Sequence, residues 1–288
     1  KGSIPALVTP FKNNEIDFTA IEKLLEWHVD QGSDGIVAVG TTGESPTLSH
    51  EEHKNVIEFI VKKINKRIPV IAGTGSNNTS ESLELTKFSE KVGADCVLIV
   101  TPYYNKPNQN GLYKHFKVLH DETNIPIIIY NIPGRSIIDL GVNTMKKLSS
   151  LPRIIGVKDA TGDIGRVSDT RKECGKNFIQ LCGNDDISLG FNCHGGCGCI
   201  SVIANVAPKI SSDFQRLMNK GDFVEALKLQ DKLLPLHRAA FLEPNPAPIK
   251  YGLELLGFCS SDVRLPLINL TEETKAKVED ALKHADLL

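Results

Sequence analysis

Eight short apolar runs alternate along the chain with segments of helical periodicity. Each run is rich in Val and Ile, is nearly continuous in apolar residues, and ends in small or polar residues. Strands that are buried on both faces of a parallel sheet have this pattern. We therefore predict strands at residues 4–9, 35–40, 69–73, 96–101, 126–131, 154–159, 178–183 and 197–202.

Helix start and stop signals lie between these runs. Asp17 precedes an apolar pattern that ends before Gly32, and Ser49 is followed three residues later by Glu52, as in a capping box. Two more helices are expected to open at 79–82 and at 110–111. The strand starts recur roughly every 25–30 residues, which is typical of βα units.

Eight βα units in series, each with a right-handed crossover, favour a closed (β/α)8 or TIM barrel. The main alternative is an open doubly wound sheet, which usually carries a glycine-rich dinucleotide turn after its first strand, and this chain has none. After about residue 222 the strand pattern stops, and helices are predicted at 222–238, 247–256 and 271–284. We expect an α/β protein with a catalytic barrel at 1–221 and a C-terminal helical region at 222–288 packed on it.

Charge and hydropathy argue against two classes of partner. The chain has 33 Lys and Arg against 35 Asp and Glu, a net charge of −2, and no basic stripe, so we expect no nucleic acid partner. No apolar run approaches the roughly 20 residues that cross a bilayer, so we expect no membrane partner. The odd number of cysteines, seven, is not a disulfide framework and favours a cytoplasmic location.

The cysteines at 193–199, in the order Cys-His-Gly-Gly-Cys-Gly-Cys, resemble a metal-binding motif at first sight. Structural zinc usually takes two paired ligand clusters, and the spacing here is irregular. We interpret Cys197 and Cys199 as small side chains of the eighth strand and expect no metal.

Lys158 is the most informative polar residue, because it stands inside the sixth apolar run. Functional residues of such barrels lie at the carboxyl ends of the strands. An apolar interior disfavours the charged form of an amine, and the uncharged amine is the form that attacks a carbonyl carbon. The alternative for a single strand-end lysine is a head group that reaches solvent or pairs with a carboxylate such as Asp159.

Neighbouring strand ends carry groups that suit carbonyl chemistry. Tyr130 ends the adjacent run and can move protons, Thr41 and Thr42 offer hydroxyls for a carboxylate, and Arg135 offers a bidentate guanidinium. Taken singly, these residues are as well explained by a core aromatic, a polar turn and a surface ion pair. Together with Lys158 they favour a Schiff base between this lysine and a small keto acid.

Longer motifs contain these residues and extend over nearly the whole chain. They are Gly-Thr-Thr-Gly-Glu-Ser at 40–45, Ala-Gly-Thr-Gly at 72–75, Thr-Pro-Tyr-Tyr-Asn at 101–105, Tyr-Asn-Ile-Pro-Gly-Arg at 130–135, Val-Lys-Asp-Ala-Thr-Gly at 157–162, Gly-Asn-Asp at 183–185 and Glu-Pro-Asn-Pro at 243–246. In this order they resemble the dihydrodipicolinate synthases, a family of the pyruvate-dependent aldolase superfamily that also contains N-acetylneuraminate lyase.

The resemblance implies a lyase of the class I aldolase type that condenses pyruvate with L-aspartate 4-semialdehyde in the diaminopimelate route to lysine. It implies no metal or organic cofactor and a homotetramer built as a dimer of dimers. The implied catalytic residues are Lys158 as the Schiff-base amine and Tyr130, Thr41 and Tyr104 as a proton relay, with Tyr104 donated by a neighbouring subunit. The implied substrate-binding residues are Thr42 for the pyruvate carboxylate, Arg135 for the semialdehyde carboxylate and Ile200 through its backbone.

The resemblance also implies a second site, at which L-lysine binds as a feedback inhibitor at a subunit interface. The matching residues are Ser45, Pro46, His50, His53, Gly75, Asn77, Glu81 and Tyr103. Glu81 would pair with the ammonium group of the effector, and Asn77 and Tyr103 would hold its carboxylate. Pro46 stands where the family commonly has Ala. The alternative for His50 and His53 is the solvated face of a helix that begins near Ser49.

Two other functions remain as alternatives. N-acetylneuraminate lyase shares the Lys and Tyr but generally lacks Arg135 and the pair Tyr103–Tyr104, so these residues favour the smaller, charged aldehyde. A catalytically silent barrel that senses keto acids or lysine is the other alternative. The presence of both Lys158 and Tyr130 favours an enzyme.

Overall fold

A ring of eight parallel strands forms the centre of the computed structural model, which describes residues 1–288. From β2 to β8 each strand pairs in parallel with the next, β8 pairs with β1, and an isolated bridge between Ala6 and Val37 connects the end of β1 to β2. The predicted (β/α)8 barrel is therefore confirmed. The strands are β1 (Gly2–Pro5), β2 (Ile36–Ala38), β3 (Val70–Gly73), β4 (Cys96–Val100), β5 (Ile127–Asn131), β6 (Ile154–Asp159), β7 (Ile179–Cys182) and β8 (Gly198–Ser201).

Twelve α-helices surround and extend this barrel. They are α1 (Phe18–Asp30), α2 (His50–Ile64), α3 (Thr79–Val92), α4 (Gln109–Asp121), α5 (Pro133–Ser136), α6 (Val142–Ser149), α7 (Gly165–Cys174), α8 (Ser188–Cys193), α9 (Pro208–Lys220), α10 (Phe223–Ala239), α11 (Ala247–Leu255) and α12 (Glu272–His284). Short 3-10 turns lie at Ser45–Thr47, Asp185–Ile187 and Ile203–Asn205, and Phe11–Lys12 pairs antiparallel with Glu15–Ile16. No helix combines the length and the hydropathy that a bilayer crossing requires.

Side-chain caps mark the start of six of the twelve helices, namely α1, α2, α3, α4, α10 and α12. The Ser49–Glu52 capping box is present, with both of its hydrogen bonds formed. The predicted start of α4 at 110–111 was wrong by one to two residues, because Asn108 is the N-cap and its side chain accepts a hydrogen bond from the Gly111 N–H. The cap thus precedes the asparagine that the pattern suggested.

Two apolar clusters lie on opposite sides of the strands. A cluster of ten buried residues fills the barrel interior, and it includes Ile128 and Tyr130 of β5. Ile127 and Ile129 belong instead to the 45-residue cluster between the strands and the helices, as the alternation of side chains along a strand requires. Tyr130 therefore points into the barrel.

The C-terminal helices share the larger of these clusters with the barrel. Leu233 of α10, Leu253 of α11 and Leu282 of α12 are all buried members of it. Asn245, just before α11, and Lys250, within α11, also donate hydrogen bonds to the loop after β2. This contact brings residues from the end of the chain to the carboxyl ends of the strands.

Candidate active site

Lys158 and Tyr130 lie side by side within the barrel. They are register partners on β6 and β5, and their exposed fractions are 5% and 6%. The Lys158 Nζ lies 4.0 Å from the centroid of the Tyr130 ring. An amine in this position is shielded from water and faces an aromatic ring, so it is placed for attack on a small carbonyl compound that enters from the strand ends.

The Asp159 carboxylate is turned away from Lys158. Its Oδ1 accepts hydrogen bonds from the Thr161 N–H at 2.8 Å and the Thr161 hydroxyl at 2.7 Å, and its Oδ2 lies 3.4 Å from the Arg166 Nε. Burial raises the pKa of the Asp159 carboxyl, although the Thr161 bonds oppose this shift. Lys158 thus neither pairs with Asp159 nor extends to solvent, which were the two alternatives considered for a lysine at a strand end.

A network that sequence reasoning missed holds the ends of β5 and β6. Asp139 accepts hydrogen bonds from the Asn131 side chain at 2.7 Å and from the Arg166 guanidinium at 2.8 Å. Asn131 and Asp159 are register partners, one position beyond Tyr130 and Lys158. The only sequence signal was that these polar residues directly follow the two candidate catalytic residues.

The loop after β2 carries the two threonines. Thr42 is buried, and its hydroxyl oxygen accepts a hydrogen bond of 2.9 Å from the Asn245 side-chain amide. Thr41 is half-buried. Gly43 is required by packing, because a Cβ there would lie 3.0 Å from the Val39 Cα and 3.1 Å from the Leu7 carbonyl oxygen. These contacts fix the backbone on which both threonines stand.

A buried ion pair follows directly in the same loop. Glu44 adopts a left-handed conformation (φ 54°), and its carboxylate accepts a 2.7 Å hydrogen bond from the Lys250 Nζ and a 3.1 Å bond from the Arg264 N–H. The side chains of Glu44 and Lys250 are both fully buried. Burial lowers the pKa of Lys250, and the neighbouring Glu44 opposes this shift. Sequence reasoning also missed this pair, whose members are 206 residues apart and belong to no common motif.

The remaining residues predicted to bind substrate or to carry protons differ in how deeply they are buried. Ile200 is fully buried on β8, in the same interior cluster as Tyr130. Tyr104 is 87% exposed and has a left-handed backbone (φ 70°), so its ring projects from the surface. Arg135 is exposed on α5, immediately beyond β5. Tyr104 is therefore not part of the barrel interior of its own chain.

A cavity of about 410 Å³ opens beside these strand ends. Thr41 and Arg135 line it, together with seven of the eight residues predicted for effector lysine. Those seven are Ser45, Pro46, His50, His53, Gly75, Glu81 and Tyr103. Asn77 does not line the cavity, and its carbonyl oxygen accepts a hydrogen bond from the Asn105 side chain. Thr41 and Arg135, which were predicted to serve the reaction, thus line the same cavity as most of the predicted effector residues.

The two histidines of this cavity differ in environment. His50 is exposed, as expected of a helix face, but His53 is only 5% exposed, and its Nε2 lies 2.7 Å from the Gly73 carbonyl oxygen. Burial lowers the pKa of His53 to about 4. Of the two histidines, only His50 therefore lies on a solvated helix face. His53 is uncharged at neutral pH, and its Nε2–H donates a hydrogen bond to the Gly73 carbonyl oxygen.

The cysteine-rich segment at 193–199 shows no metal-ligand geometry. Cys193 is exposed at the end of α8, whereas Cys199 is buried on β8 with its Sγ 3.4 Å from the Asp185 carboxylate. Nowhere in the chain do three His, Cys, Asp or Glu side chains converge as metal ligands would.

Comparison with known proteins identifies the family. The family model described as "Dihydrodipicolinate synthetase family" matches residues 1–285. The chain belongs to this family. Proteins named 4-hydroxy-tetrahydrodipicolinate synthase from Cereibacter sphaeroides and Ruegeria pomeroyi are 59% and 57% identical to it over 288 residues, which cover 100% of this chain and 99% of each relative.

Solved structures of the dihydrodipicolinate synthetase family have the same fold. The enzyme of Acinetobacter baumannii complexed with pyruvate has a TM-score of 0.98 at 44% identity, covering 100% of this chain and 99% of that chain. The enzyme of Cyanidioschyzon merolae with lysine bound has a TM-score of 0.97 at 35% identity, with the same coverage. A variant described as monomeric has a TM-score of 0.98 at 38% identity, covering 100% of this chain and 97% of that chain.

Proposed function

We propose that this protein has 4-hydroxy-tetrahydrodipicolinate synthase activity, which makes it a lyase of the class I aldolase type that condenses pyruvate with L-aspartate 4-semialdehyde. The observation that carries the proposal is the Lys158 amine, which is buried beside Tyr130 and has no carboxylate partner. Relatives that match the full length of the chain and have this activity as their name support it.

The first half of the reaction joins pyruvate to the enzyme. The Lys158 Nζ attacks the pyruvate C2, and loss of the ketone oxygen as water leaves an imine. Tyr130, Thr41 and a partner's Tyr104 would carry the protons that this step moves, and Thr42 and the backbone at Ile200 would hold pyruvate. Loss of a proton from C3 then gives an enamine.

The second half forms the new carbon–carbon bond. The enamine C3 attacks the aldehyde carbon of the semialdehyde, whose oxygen takes up a proton. The amino group of the semialdehyde then attacks the imine carbon, which closes the ring and releases Lys158. These steps require no oxidant or reductant, and we propose that the enzyme needs no metal or organic cofactor, because Lys158 itself activates the ketone.

Arg135 is proposed to select the aldehyde, because it lines the cavity at the end of β5 and presents a guanidinium that suits a carboxylate. We expect Arg135→Ala to raise KM for aspartate semialdehyde at least about tenfold, because one charge-assisted hydrogen bond is lost. KM for pyruvate should stay within about twofold of wild type. Steady-state kinetics with both substrates varied measure this.

Arg238→Ala is the matched control, since Arg238 is exposed on α10 and makes no side-chain hydrogen bond or ion pair in the structure. Uncharged aldehydes, including N-acetylmannosamine, test the alternative lyase activity. Faster turnover of an uncharged aldehyde than of the semialdehyde by the wild-type protein would contradict the proposed function.

We also propose that the protein assembles as a homotetramer in which dimerisation places Tyr104 of one subunit at the site of another. The support is the position of Tyr104, whose ring is almost fully exposed and cannot serve the interior of its own barrel. One structural relative is described as a monomeric variant, so a monomer is the alternative. Sedimentation velocity distinguishes these states: a dimer at assay concentration would contradict the tetramer, and a monomer would also contradict the contribution of Tyr104 from a second subunit.

L-lysine is proposed as an inhibitor that binds in the 410 Å³ cavity. The support is the clustering there of Glu81, Tyr103 and His53, together with the lysine-bound structure of a family member. We expect millimolar lysine to slow turnover and Glu81→Gln, which removes the charge facing the effector ammonium, to raise the half-inhibitory lysine concentration at least about tenfold.

Glu84→Gln is the control for this effect, because Glu84 lies on the same helix and pairs instead with Lys54 at the surface. Activity assays at fixed substrate and rising lysine give the measurement. Turnover that is unchanged in millimolar lysine would remove the proposed regulation but leave the proposed activity intact.

A further inference from the structure

The C-terminal region contacts Thr42, the residue proposed to hold the pyruvate carboxylate, through Asn245. This side chain stands two residues before α11, is 5% exposed, and donates its amide N–H to the Thr42 hydroxyl oxygen across 2.9 Å. The two residues are 203 positions apart in the chain. Only folding of the C-terminal region onto the barrel brings the amide to this hydroxyl.

The direction of this hydrogen bond determines what Thr42 can do. A hydroxyl has one hydrogen to donate and accepts through its lone pairs. Because the Asn245 amide occupies an acceptor position on the Thr42 oxygen, the hydroxyl hydrogen remains free to point elsewhere. A carboxylate only accepts hydrogen bonds, so a threonine that holds one must offer it this hydrogen.

The backbone beneath Thr42 is fixed from the same side of the molecule. Glu44, two residues on, is held in its left-handed conformation by the buried Lys250 amine at 2.7 Å and the Arg264 N–H at 3.1 Å. Lys250 follows Asn245 by five residues, so one short segment contacts the loop at two points. A doubly anchored loop loses little further freedom when a ligand binds to it.

We propose that Asn245 is a positioning residue for keto-acid binding, which orients the Thr42 hydroxyl so that its hydrogen faces the pyruvate carboxylate. The inference rests on the proposed function, since it assigns the way in which one of the substrates is held. Asn245 itself contacts Thr42 and not the substrate. It acts through Thr42 and therefore affects affinity for pyruvate more than the rate of the chemical steps.

Asn245→Asp is the direct test, because Asp has nearly the same shape but only accepts hydrogen bonds. The Thr42 hydroxyl must then donate to the introduced carboxylate, and its hydrogen is lost to pyruvate. KM for pyruvate is expected to rise at least about tenfold, with kcat at saturating pyruvate within about threefold of wild type. Asn269→Asp, an exposed position in the same region, adds the same charge without contacting Thr42 and is expected to change neither constant.

A double-mutant cycle with uncharged variants separates orientation from charge. Asn245→Leu is expected to raise KM for pyruvate about threefold or more, but to have less than about a 1.5-fold effect in a Thr42→Val background, where no hydroxyl remains to be oriented. Equal effects in both backgrounds, or an Asn245→Asp protein with unchanged KM for pyruvate, would overturn the inference. Asn245→Leu also serves as the test if Asn245→Asp does not fold, as judged by circular dichroism.

Borohydride trapping of pyruvate distinguishes this inference from the proposed function. A wild-type protein that forms no pyruvate adduct would remove the proposed function and this inference together. A wild type and an Asn245→Asp variant that trap pyruvate at the same half-saturating concentration would remove this inference alone.

Discussion

Replacement of Lys158 by alanine is expected to lower kcat by at least about 10⁴-fold, because the amine is the nucleophile and no other lysine of the barrel interior can take its place. The fold is expected to survive, since the change removes a buried polar group and leaves the apolar wall of the barrel. Turnover of pyruvate and aspartate semialdehyde, measured alongside the circular dichroism spectrum, checks both expectations.

The position of the covalent bond provides an independent readout. Borohydride with pyruvate should label Lys158 in the wild-type protein, and peptide mass spectrometry should find no adduct in the Lys158→Ala variant. Lys250 is an internal control, because it is also buried but is paired with Glu44 outside the barrel interior. A label on Lys250, or a Lys158→Ala protein that retains the native rate, would contradict the proposed mechanism.

Lys250→Met is expected to lower the free energy of unfolding by about 3–5 kcal/mol, because it leaves the Glu44 carboxylate buried without a countercharge. Removing both charges in Glu44→Gln/Lys250→Met should recover most of this loss, since no unpaired charge remains. Urea denaturation followed by circular dichroism measures the difference between the single and the double variant.

An exposed pair supplies the control for this prediction. Lys228 and Glu225 on α10 form an ion pair of 2.6 Å with 66% and 49% of their side chains exposed, so Lys228→Met should change stability by less than about 1 kcal/mol. A loss of the same size in the Lys250→Met single variant and the Glu44→Gln/Lys250→Met double variant would show that the packing of the lysine stem, and not its charge, stabilises this region.

The barrel was predictable from sequence because most of its strands are buried on both faces and so form apolar runs. The first strand is the exception, since it was predicted at 4–9 and lies at Gly2–Pro5, where Gly2 and Ser3 are buried but not apolar. Lys158 was predictable for the same reason, since a charged residue inside such a run stands out from its neighbours. The helix starts that the sequence predicted lie within two residues of the observed ones, whereas no start was predicted for α5 to α9. The error at α4 arose because Asn108 and Asn110 are equally good caps by residue type, and only the Gly111 hydrogen bond distinguishes them.

The long-range polar contacts were not predictable in the same way. Neither Asn245–Thr42 nor Lys250–Glu44 leaves a periodic signal, because each pair joins residues more than 200 positions apart. The shared register of Tyr130 and Lys158 could be expected only in outline, since the sequence indicates that their strands are adjacent but does not fix their alignment. The roles of all seven predicted catalytic and substrate-binding residues in the reaction stay predictions; these residues are Lys158, Tyr130, Thr41, Tyr104, Thr42, Arg135 and Ile200.

The double contact of the C-terminal segment with the loop after β2 has a consequence for biosynthesis of the chain. In a nascent chain, β1 has no β8 partner until residue 198 has emerged, and Thr42 and Glu44 do not meet Asn245 and Lys250 until residues 245–250 follow. The two contacts that fix the loop after β2 are therefore formed late in translation. A chain that ends after the eighth strand lacks both contacts, and we expect it to hold a keto acid more weakly than the full chain does.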